Sequence, residues 1–218
     1  GRAGVSLATL LVLADGRLPA GGHAHSGGLE AAVAAGRVRD VEDVGEFLRG
    51  RLATSGLVCA AFAAGACART EKCFDLDAGL DARTPSAALR KASRAQGRAL
   101  LRAGRAMWSM PAIGRDPHHP VALGALAAAA GLGPLEAAVA AAHGAVTGPA
   151  GAAVRLLGLD PYAVHALLAR LAPDVDRIAA RAAARANDPV DELPAAGAPL
   201  LDIGAELHAN WEVRLFAS

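Results

Sequence analysis

The chain has 218 residues, a length typical of one compact domain rather than several. Hydrophobic residues make up 53% of it and aromatic residues only 3%, with alanine the commonest apolar residue. A net charge of +1 and an isoelectric point near 8.0 give no overall preference for nucleic acid or anionic membranes. The composition therefore predicts a core built from many small helix contacts, and function has to be inferred from local patterns.

Helical periodicity dominates the first half of the chain. Asp40 is a favourable helix N-cap, and Glu42 and Asp43 after it suit the positive end of the helix dipole. Thr84-Pro85 has the cap-and-proline pattern that is typical of a helix start. The patterns predict helices over residues 5–14, 29–35, 40–69 and 84–107, with a loop over 73–83.

Glycine and proline divide the second half into shorter units. Asp160-Pro161 predicts the start of a long helix, in which Pro173 should cause a kink or a break. Asp202 is expected to cap a last short helix. The predicted helices cover residues 121–130, 134–142, 150–157 and 160–187, and the last one begins near 202. Because no alternating strand pattern is present, residues 1–218 are predicted to form a single all-α domain, a bundle of about eight to ten helices.

The longest uncharged stretch, residues 137–154, consists mainly of small residues and includes Pro149. A membrane-spanning helix needs about 20 strongly apolar residues, so this stretch is predicted to form a buried pair of helices. The start of the chain does not resemble a signal peptide, and the three cysteines form no CxxC pair. We expect a cytoplasmic protein with reduced thiols and no membrane contact.

The stretch LPAGGHAHSGGLE, residues 18–30, contains four glycines and two histidines. It lacks the P-loop pattern, although glycines before a helix start can also bind an anion. On an extended backbone, His23 and His25 would share a side and offer two imidazoles for a weak metal contact. Alternatively, the stretch is a turn in which Ser26 caps the helix that carries Glu30. These alternatives stay open, and no tightly bound metal or cofactor is expected.

Seven basic residues and no acidic residue lie between Arg83 and Arg105. At about 100° per residue, a helix places Arg94, Arg98 and Arg102 on one side, next to an alanine-rich side that should face the core. This basic stripe is either a docking surface for an acidic partner or a face neutralised within the fold by the acids of residues 75–81. Nucleic acid is a poorer partner, because the helix has no aromatic side chain on which bases can stack.

Large apolar side chains are concentrated at the C-terminus, where chains are usually frayed. Trp211, Val213, Leu215 and Phe216 lie within the last eight residues. Either these side chains fold back onto the alanine-rich core, or they anchor a partner protein, since aromatic residues and arginine concentrate binding energy at interfaces.

Four segments together resemble the UreF family of urease accessory proteins, and actinobacterial members in particular. They are LLVLADGRLPAGGHAHSGGLEAAVAAGRV, ASRAQGRALLR, HHPVALGALAAAAGL and the terminal VRLFAS, in the order of the family and over nearly the whole chain. The resemblance implies an all-α homodimer that is not itself an enzyme. It further implies an adaptor that bridges the UreD/UreH scaffold protein and the UreG GTPase while nickel is delivered to apo-urease.

The resemblance also implies roles for particular residues. The partner-binding segment corresponds to residues 202–218, with His208 and Arg214 to Ser218 as its contacts, beside Trp211, which the composition of the C-terminus offers as an anchor. The start of the HSGGLE helix, with His25, Ser26 and Glu30, corresponds to a segment associated with the dimeric complex and with nickel in transit. This chain departs from the family at His23, where many members have an aromatic residue, and at Ala209, where a glutamate is common.

Two other function classes remain open at this point. One is a metal-dependent enzyme that uses His23, His25 and a distant carboxylate. The other is a helical adaptor with no metal role.

Overall fold

Helices provide the regular structure throughout residues 6–218, the part of the chain that this computed structural model describes. Ten α-helices lie within these residues, and in chain order they are α1 (Leu7–Ala14), α2 (Leu29–Ala34), α3 (Val41–Arg51), α4 (Leu57–Ala68), α5 (Cys73–Ala82), α6 (Ala87–Met107), α7 (His119–Ala129), α8 (Pro134–Leu157), α9 (Pro161–Ala183) and α10 (Pro199–Ala209). Because no strand occurs in this range, the all-α prediction is confirmed. The predicted helix start at Val5 lies outside the described residues.

The core is organised around α4, which packs against α7, α8 and α9. A short π-helical turn at residues 52–56 joins α3 to α4, so that the helix predicted from Asp40 to about residue 69 is essentially continuous. The Asp40 carboxylate accepts the N–H of Asp43 at 2.9 Å, which confirms the predicted cap. Nearly all residues of α4 are buried, as expected for a helix that is apolar on every side.

Small residues let the helices of this core approach closely. At Gly124 of α7, an added Cβ would lie 2.2 Å from the carbonyl oxygen of Ala63 on α4 and 2.8 Å from the Cβ of Ala66. The two backbones are therefore close enough that only glycine fits between them. This contact shows how a chain with few aromatic residues reaches a dense core.

The uncharged stretch forms one helix rather than the predicted pair, because α8 continues through Pro149. Proline has no N–H, so the carbonyl oxygen of Ala145, four residues earlier, loses its helical hydrogen bond. The guanidinium of Arg51, at the end of α3, donates from Nε to this oxygen at 3.0 Å. A side chain from a distant part of the sequence thus replaces the bond that Pro149 removes.

Four further features differ from the predictions. The predicted loop at residues 73–83 is helix α5, because Cys73, Leu76 and Leu80 are spaced to bury one helical face. Helix α9 continues through Pro173 but ends at Ala183, four residues before the predicted end. Ser86, rather than Thr84, caps α6, and α10 begins at Pro199, which puts Asp202 in its first turn.

Two helical stretches, Val41–Ala68 and Pro134–Leu157, are long and apolar enough to cross a membrane by length and composition. In this fold 67% and 56% of their apolar windows are buried among other helices. Such burial is what the core helices of a globular domain show.

Replacing Gly124 with alanine is expected to lower the free energy of unfolding by about 1–3 kcal/mol, because the methyl group would meet backbone atoms of α4. The matched control is Gly144→Ala on α8, where an added Cβ meets nothing within 4 Å. This control should raise stability by about 0.5–1 kcal/mol through helix propensity. Urea denaturation followed by circular dichroism measures both, and equal effects of the two variants would contradict the close approach of α4 and α7.

Candidate functional site

Two segments that are far apart in the sequence meet at one place in the structure. The glycine loop (residues 21–28) lies against the C-terminal segment (residues 210–218). The N–H of Ser26 donates to the carbonyl oxygen of Ser218 at 2.6 Å, and the N–H of Ala217 donates to that of Ala24 at 2.7 Å. The hydroxyl of Ser26 also donates to the Ser218 carbonyl, at 3.0 Å. Backbone pairing therefore fixes the end of the C-terminal segment along the glycine loop.

The glycine loop itself is held on the core by Arg51 and Pro149. Gly27 has a φ of +63°, and an added Cβ would lie 2.9 Å from Cγ of Pro149. The carbonyl of Gly27 accepts a hydrogen bond of 2.8 Å from Nη1 of Arg51. The same guanidinium donates from Nε to the free carbonyl oxygen of Ala145 in α8. Gly28, and not Ser26 as predicted, occupies the N-cap position of α2. Ser26 still contacts the helix start, because its Oγ accepts the N–H of Glu30 at 3.3 Å.

The carboxylate of Glu30 is the centre of this arrangement. Its Oε1 accepts the N–H of Leu215 at 2.7 Å, and its Oε2 accepts the N–H of Phe216 at 3.0 Å and Nε2 of His208 at 2.7 Å. Glu30 is only 8% exposed, and His208 and Phe216 are 3% exposed. One buried carboxylate in the first turn of α2 thus binds both α10 and the C-terminal segment.

These contacts determine the charge of Glu30. Burial raises the pKa of its carboxyl group, but the hydrogen bonds from Leu215, His208 and Phe216 together outweigh burial and hold the pKa below its ordinary value of 4.5. An ionised carboxylate can only accept hydrogen bonds, so His208 carries its proton on Nε2 and donates it. We call the loop, Glu30, His208 and the C-terminal segment together the loop–tail clasp.

Aromatic contacts complete the loop–tail clasp. The guanidinium of Arg155, on α8, lies 4.3 Å above the ring of Phe216, and its Nη2 donates to the carbonyl of His23 at 2.9 Å. The ring of Trp211 packs against that of His208 with 4.8 Å between centroids. Phe216 therefore folds back onto the core, which is one of the two predicted outcomes for the C-terminal residues.

Other C-terminal side chains point outward. Val213 and Leu215 are 89% and 59% exposed, and Arg214 is also exposed. On α10, the neighbouring Leu200, Ile203 and Leu207 share one face and are each more than half exposed. We call these five apolar residues the C-terminal apolar face, and they leave the anchoring interpretation open beside the fold-back of Phe216.

The two histidines of the glycine loop differ in their surroundings. His23 is exposed, whereas His25 is partly buried and its Nδ1 shares a hydrogen bond of 2.6 Å with Oγ of Ser218. Burial, together with nearby His23, lowers the pKa of His25, so its imidazole is neutral at pH 7. Within residues 6–218, no three side chains of histidine, cysteine, aspartate or glutamate converge as a metal site would require. A role for His23, His25 and Glu30 towards nickel stays a prediction.

The basic stripe on α6 is neutralised in part. The guanidinium of Arg94 contacts the carboxylates of Asp77 at 3.0 Å and Asp81 at 2.8 Å, and Arg98 contacts Asp116 at 2.5 Å. Arg102 is exposed and makes no ion pair within residues 6–218. The alanine-rich side does not face the core as predicted, because the buried residues of α6 are Gly97, Leu100, Leu101 and Gly104.

Sequence reasoning missed a polar cluster beside this stripe. The fully buried His118 contacts Asp81 through Nε2 and Ser93 Oγ through Nδ1, each at 3.0 Å. Hydrogen bonds from His118 and Arg94 hold the pKa of Asp81 below its ordinary value of 3.8. The chain order Asp81, Ser93, His118 gave no catalytic signal. Since Ser93 Oγ also accepts the N–H of His119, the cluster acts as a joint between α5, α6 and α7.

Comparison with known proteins decides the family. The sequence profile of the UreF family matches residues 38–172. A protein named urease accessory protein UreF from Mycobacterium sp. (strain JLS) is 48% identical over 216 residues, which cover 98% of this chain and 99% of the relative. Proteins of the same name from Mycolicibacterium vanbaalenii and Mycobacterium tuberculosis are 45% and 41% identical, with the same coverage of both chains. The chain belongs to the UreF family.

Membership in the UreF family confirms the resemblance stated from the sequence. The relatives carry the name of an accessory protein to urease rather than of urease itself. The family profile begins at residue 38, after the glycine loop, and ends at residue 172, before α10. Both halves of the loop–tail clasp are therefore covered by the full-length relatives but lie outside the profile match.

The loop–tail clasp is expected to weaken in acid. Because the pKa of Glu30 is lowered in the fold, its stabilising contribution is present above pH 4.5 and is lost as the pH falls through its folded value. At pH 7, Glu30→Gln should lower the free energy of unfolding by about 2 kcal/mol, since hydrogen bonds to a charged acceptor are lost. The difference between the wild type and the variant should shrink below pH 4.5. Urea denaturation at a series of pH values from 7 to below 4.5 measures the difference in free energy of unfolding between the two proteins. A difference that does not change with pH would contradict an ionised Glu30.

Proposed function

We propose that the chain is a non-enzymatic accessory protein for urease maturation. In this proposal the protein bridges a UreD/UreH-type scaffold protein and a UreG-type GTPase, and it modulates that GTPase. It acts as a homodimer in the cytoplasm while nickel is delivered to apo-urease. Membership in the UreF family supports the accessory role. The observation that carries the binding proposal is the C-terminal apolar face, which the fold leaves uncovered.

The C-terminal apolar face has the properties of a protein-binding surface. Leu200, Ile203 and Leu207 recur at helical spacing on α10, and each is more than half exposed. Val213 and Leu215 add further apolar surface from the C-terminal segment. Exposed apolar rows such as the one on α10 typically mark interaction sites on globular proteins. We assign this face to the UreD/UreH-type protein, because the family resemblance implies partner binding by residues 202–218.

Shallow grooves on both sides of α10 support the same assignment. One groove runs between Leu207 and the alanines of α2, and the other lies between Ile203 and the start of α6. The exposed apolar side chains of α10 lie between these two grooves. A partner could therefore contact the side chains and also insert its own side chains into the grooves. Shape complementarity of this kind is typical of stable interfaces.

Nickel enters this proposal as cargo rather than as a resident cofactor. His23 is exposed at the glycine loop, and His25 is neutral and therefore able to act as a ligand. Burial raises the pKa of Cys67 to about 12 and that of Cys73 to about 11, so neither supplies a thiolate at neutral pH. Two imidazoles without a third converging ligand favour a transient contact, which suits a protein that must release its metal.

The experiment for the scaffold protein uses single charges placed on the C-terminal apolar face. Leu207→Asp should weaken binding of the UreD/UreH-type protein about tenfold or more, because a charge would be buried in the interface. The matched control is Leu135→Asp, at an exposed leucine on α8. Isothermal titration calorimetry measures the affinities, and circular dichroism checks the fold. Deletion of residues 207–218 is a less clean test, because it leaves buried Glu30 without its donors.

If Leu207→Asp and Ile203→Asp both bind like the wild type, this face is not the binding site. If the Leu135 control weakens binding equally, the effect is not specific to α10. Either result would remove the proposed assignment of the partner.

The basic stripe gives a second, separable test for the GTPase or apo-urease. Arg102→Glu should change the free energy of unfolding by no more than about 0.5 kcal/mol, because the Arg102 side chain is exposed and makes no ion pair within residues 6–218. Arg94→Glu should cost about 2–3 kcal/mol, since it breaks two ion pairs and places like charges together. If the stripe docks an acidic partner, Arg102→Glu weakens that association and salt weakens the wild type. Unchanged pull-down of both UreG and urease by Arg102→Glu would exclude docking at this position.

A further inference from the structure

We infer that the outer face of α6 is a docking surface for an acidic helix of a partner protein. This inference rests on the proposed function, because it takes the partner to be a component of the urease maturation assembly. It goes beyond the docking role of the basic stripe, because it gives the shape of the partner and identifies a competitor within this chain. We define the outer face by residues that α6 turns away from its buried side: Lys91, Ala95, Arg98, Arg102, Arg105 and Ala106.

The cations of the outer face form one row along the helix. At about 100° and 1.5 Å per residue, they lie within about 60° of the circumference and over about 21 Å of its length. Each of these side chains is exposed. Lys91, Arg102 and Arg105 make no ion pair within residues 6–218. Because like charges at helical spacing repel one another, carboxylates of a partner at the same spacing would relieve the repulsion.

Alanine, rather than a large side chain, lies beside this row. Ala95, Ala99 and Ala106 are partly or fully exposed, because α6 buries its glycines and leucines against α7 instead. Short side chains allow a second helix to lie close to the α6 backbone. The core of this protein uses the same kind of contact, where Gly124 of α7 meets alanine on α4. A helix is therefore the element that fits this surface best.

The outer face lacks the features that other anionic partners require. Single-stranded nucleic acid is usually bound through aromatic side chains on which its bases stack, and α6 contains no aromatic residue. A helix that lies on an anionic membrane inserts large apolar side chains, whereas the outer face offers only alanine. Carboxylates on a protein helix need neither feature, so an acidic protein is the favoured partner.

Asp116 already occupies the place of one partner carboxylate. Its Oδ1 lies 2.5 Å from Nη1 of Arg98, and the side chains of Asp116 and Arg98 are 51% and 46% exposed. An ion pair so open to water contributes little to stability, so a partner carboxylate can replace Asp116. The backbone at Asp116 stays anchored when the pair opens, because Nη1 of Arg94 donates to its carbonyl oxygen. Asp116 is therefore an internal competitor for Arg98.

The probe is a synthetic peptide of about 18 residues, long enough to form a helix in solution. Glutamates at i, i+3, i+7 and i+14 form one row on it, and the other positions are alanine and glutamine. This spacing matches, in reverse order, that of the cations Arg105, Arg102, Arg98 and Lys91. The control peptide has the same composition, with its glutamates spread around the helix. NMR titration of the full-length chain measures both affinities and shows which amides respond.

The protein variants change the charge of the outer face in both directions. Arg102→Glu combined with Arg105→Glu replaces two attractions by repulsions. Asp116→Asn removes the competitor and keeps a side chain of the same size. The matched control combines Arg170→Glu with Arg181→Glu, which makes the same change in net charge at exposed arginines of α9. Neither of these arginines makes an ion pair within residues 6–218.

We expect the patterned peptide to bind the wild type about fivefold or more tightly than the control peptide, because only its glutamates can meet the cations together. The double variant on α6 should weaken this binding about fivefold or more, and Asp116→Asn should strengthen it about threefold. The double variant on α9 should stay within about twofold of the wild type, since salt screens distant charges. Circular dichroism should show the same helix content for all variants.

Three results would overturn the inference. Equal binding of the two peptides would mean that the outer face attracts negative charge without recognising a helix. Equal weakening by the double variants on α6 and α9 would mean that net charge alone is responsible. Tighter binding of a single-stranded oligonucleotide or of phosphatidylserine vesicles than of the patterned peptide would assign the face to nucleic acid or to a membrane. The proposed function fails separately, because Leu207→Asp tests the scaffold protein at α10, on which none of these measurements depends.

Discussion

A buried carboxylate with three donors, at Glu30, is the interaction on which the joining of α2, α10 and the C-terminal segment depends. Removing an ionised carboxylate from water is unfavourable unless donors replace the water. Here the donors come from α10 and from the backbone of the C-terminal segment. The charge therefore requires the segment to dock, and the docked segment in turn satisfies the charge. This mutual requirement holds the C-terminal segment against α10, which itself packs on α2 and α6.

The alanine-rich composition explains why large side chains are informative in this protein. Helices α4 and α7 meet through Gly124 and alanine, so the centre of the core needs few large residues. The chain has only two tryptophans and four phenylalanines, yet Trp211 and Phe216 lie together near the C-terminus. Val213 and Leu215, in the same segment, are exposed, whereas Phe216 is buried. The C-terminus therefore carries more large apolar side chains than the core buries. Such a distribution is typical of a surface that another protein covers.

Local patterns predicted much of the helical framework and failed where a distant residue intervened. The caps at Asp40 and Asp160 were correct, because capping involves only the next few residues. The break expected between residues 142 and 150 was wrong, because α8 is continuous and Arg51, from a different helix, supplies the hydrogen bond that Pro149 removes. The loop expected at residues 73–83 was wrong for a related reason. The burial of Leu76 and Leu80 against the core outweighs the aspartates and glycine that suggested a turn.

The sequence by itself determined the all-α class, the family, and two segments of unusual composition, the glycine loop and the aromatic C-terminus. It also identified Glu30, Ser26 and His208 as residues of interest, but as members of separate sites. Only the tertiary structure joined them, because Glu30 and Leu215 are 185 positions apart and share no local pattern. The same holds for Arg94, whose pairing with Asp77 and Asp81 decides which part of the basic stripe is free. Periodicity and capping are set by neighbours in sequence, whereas a buried charge takes whichever donors the completed fold brings to it.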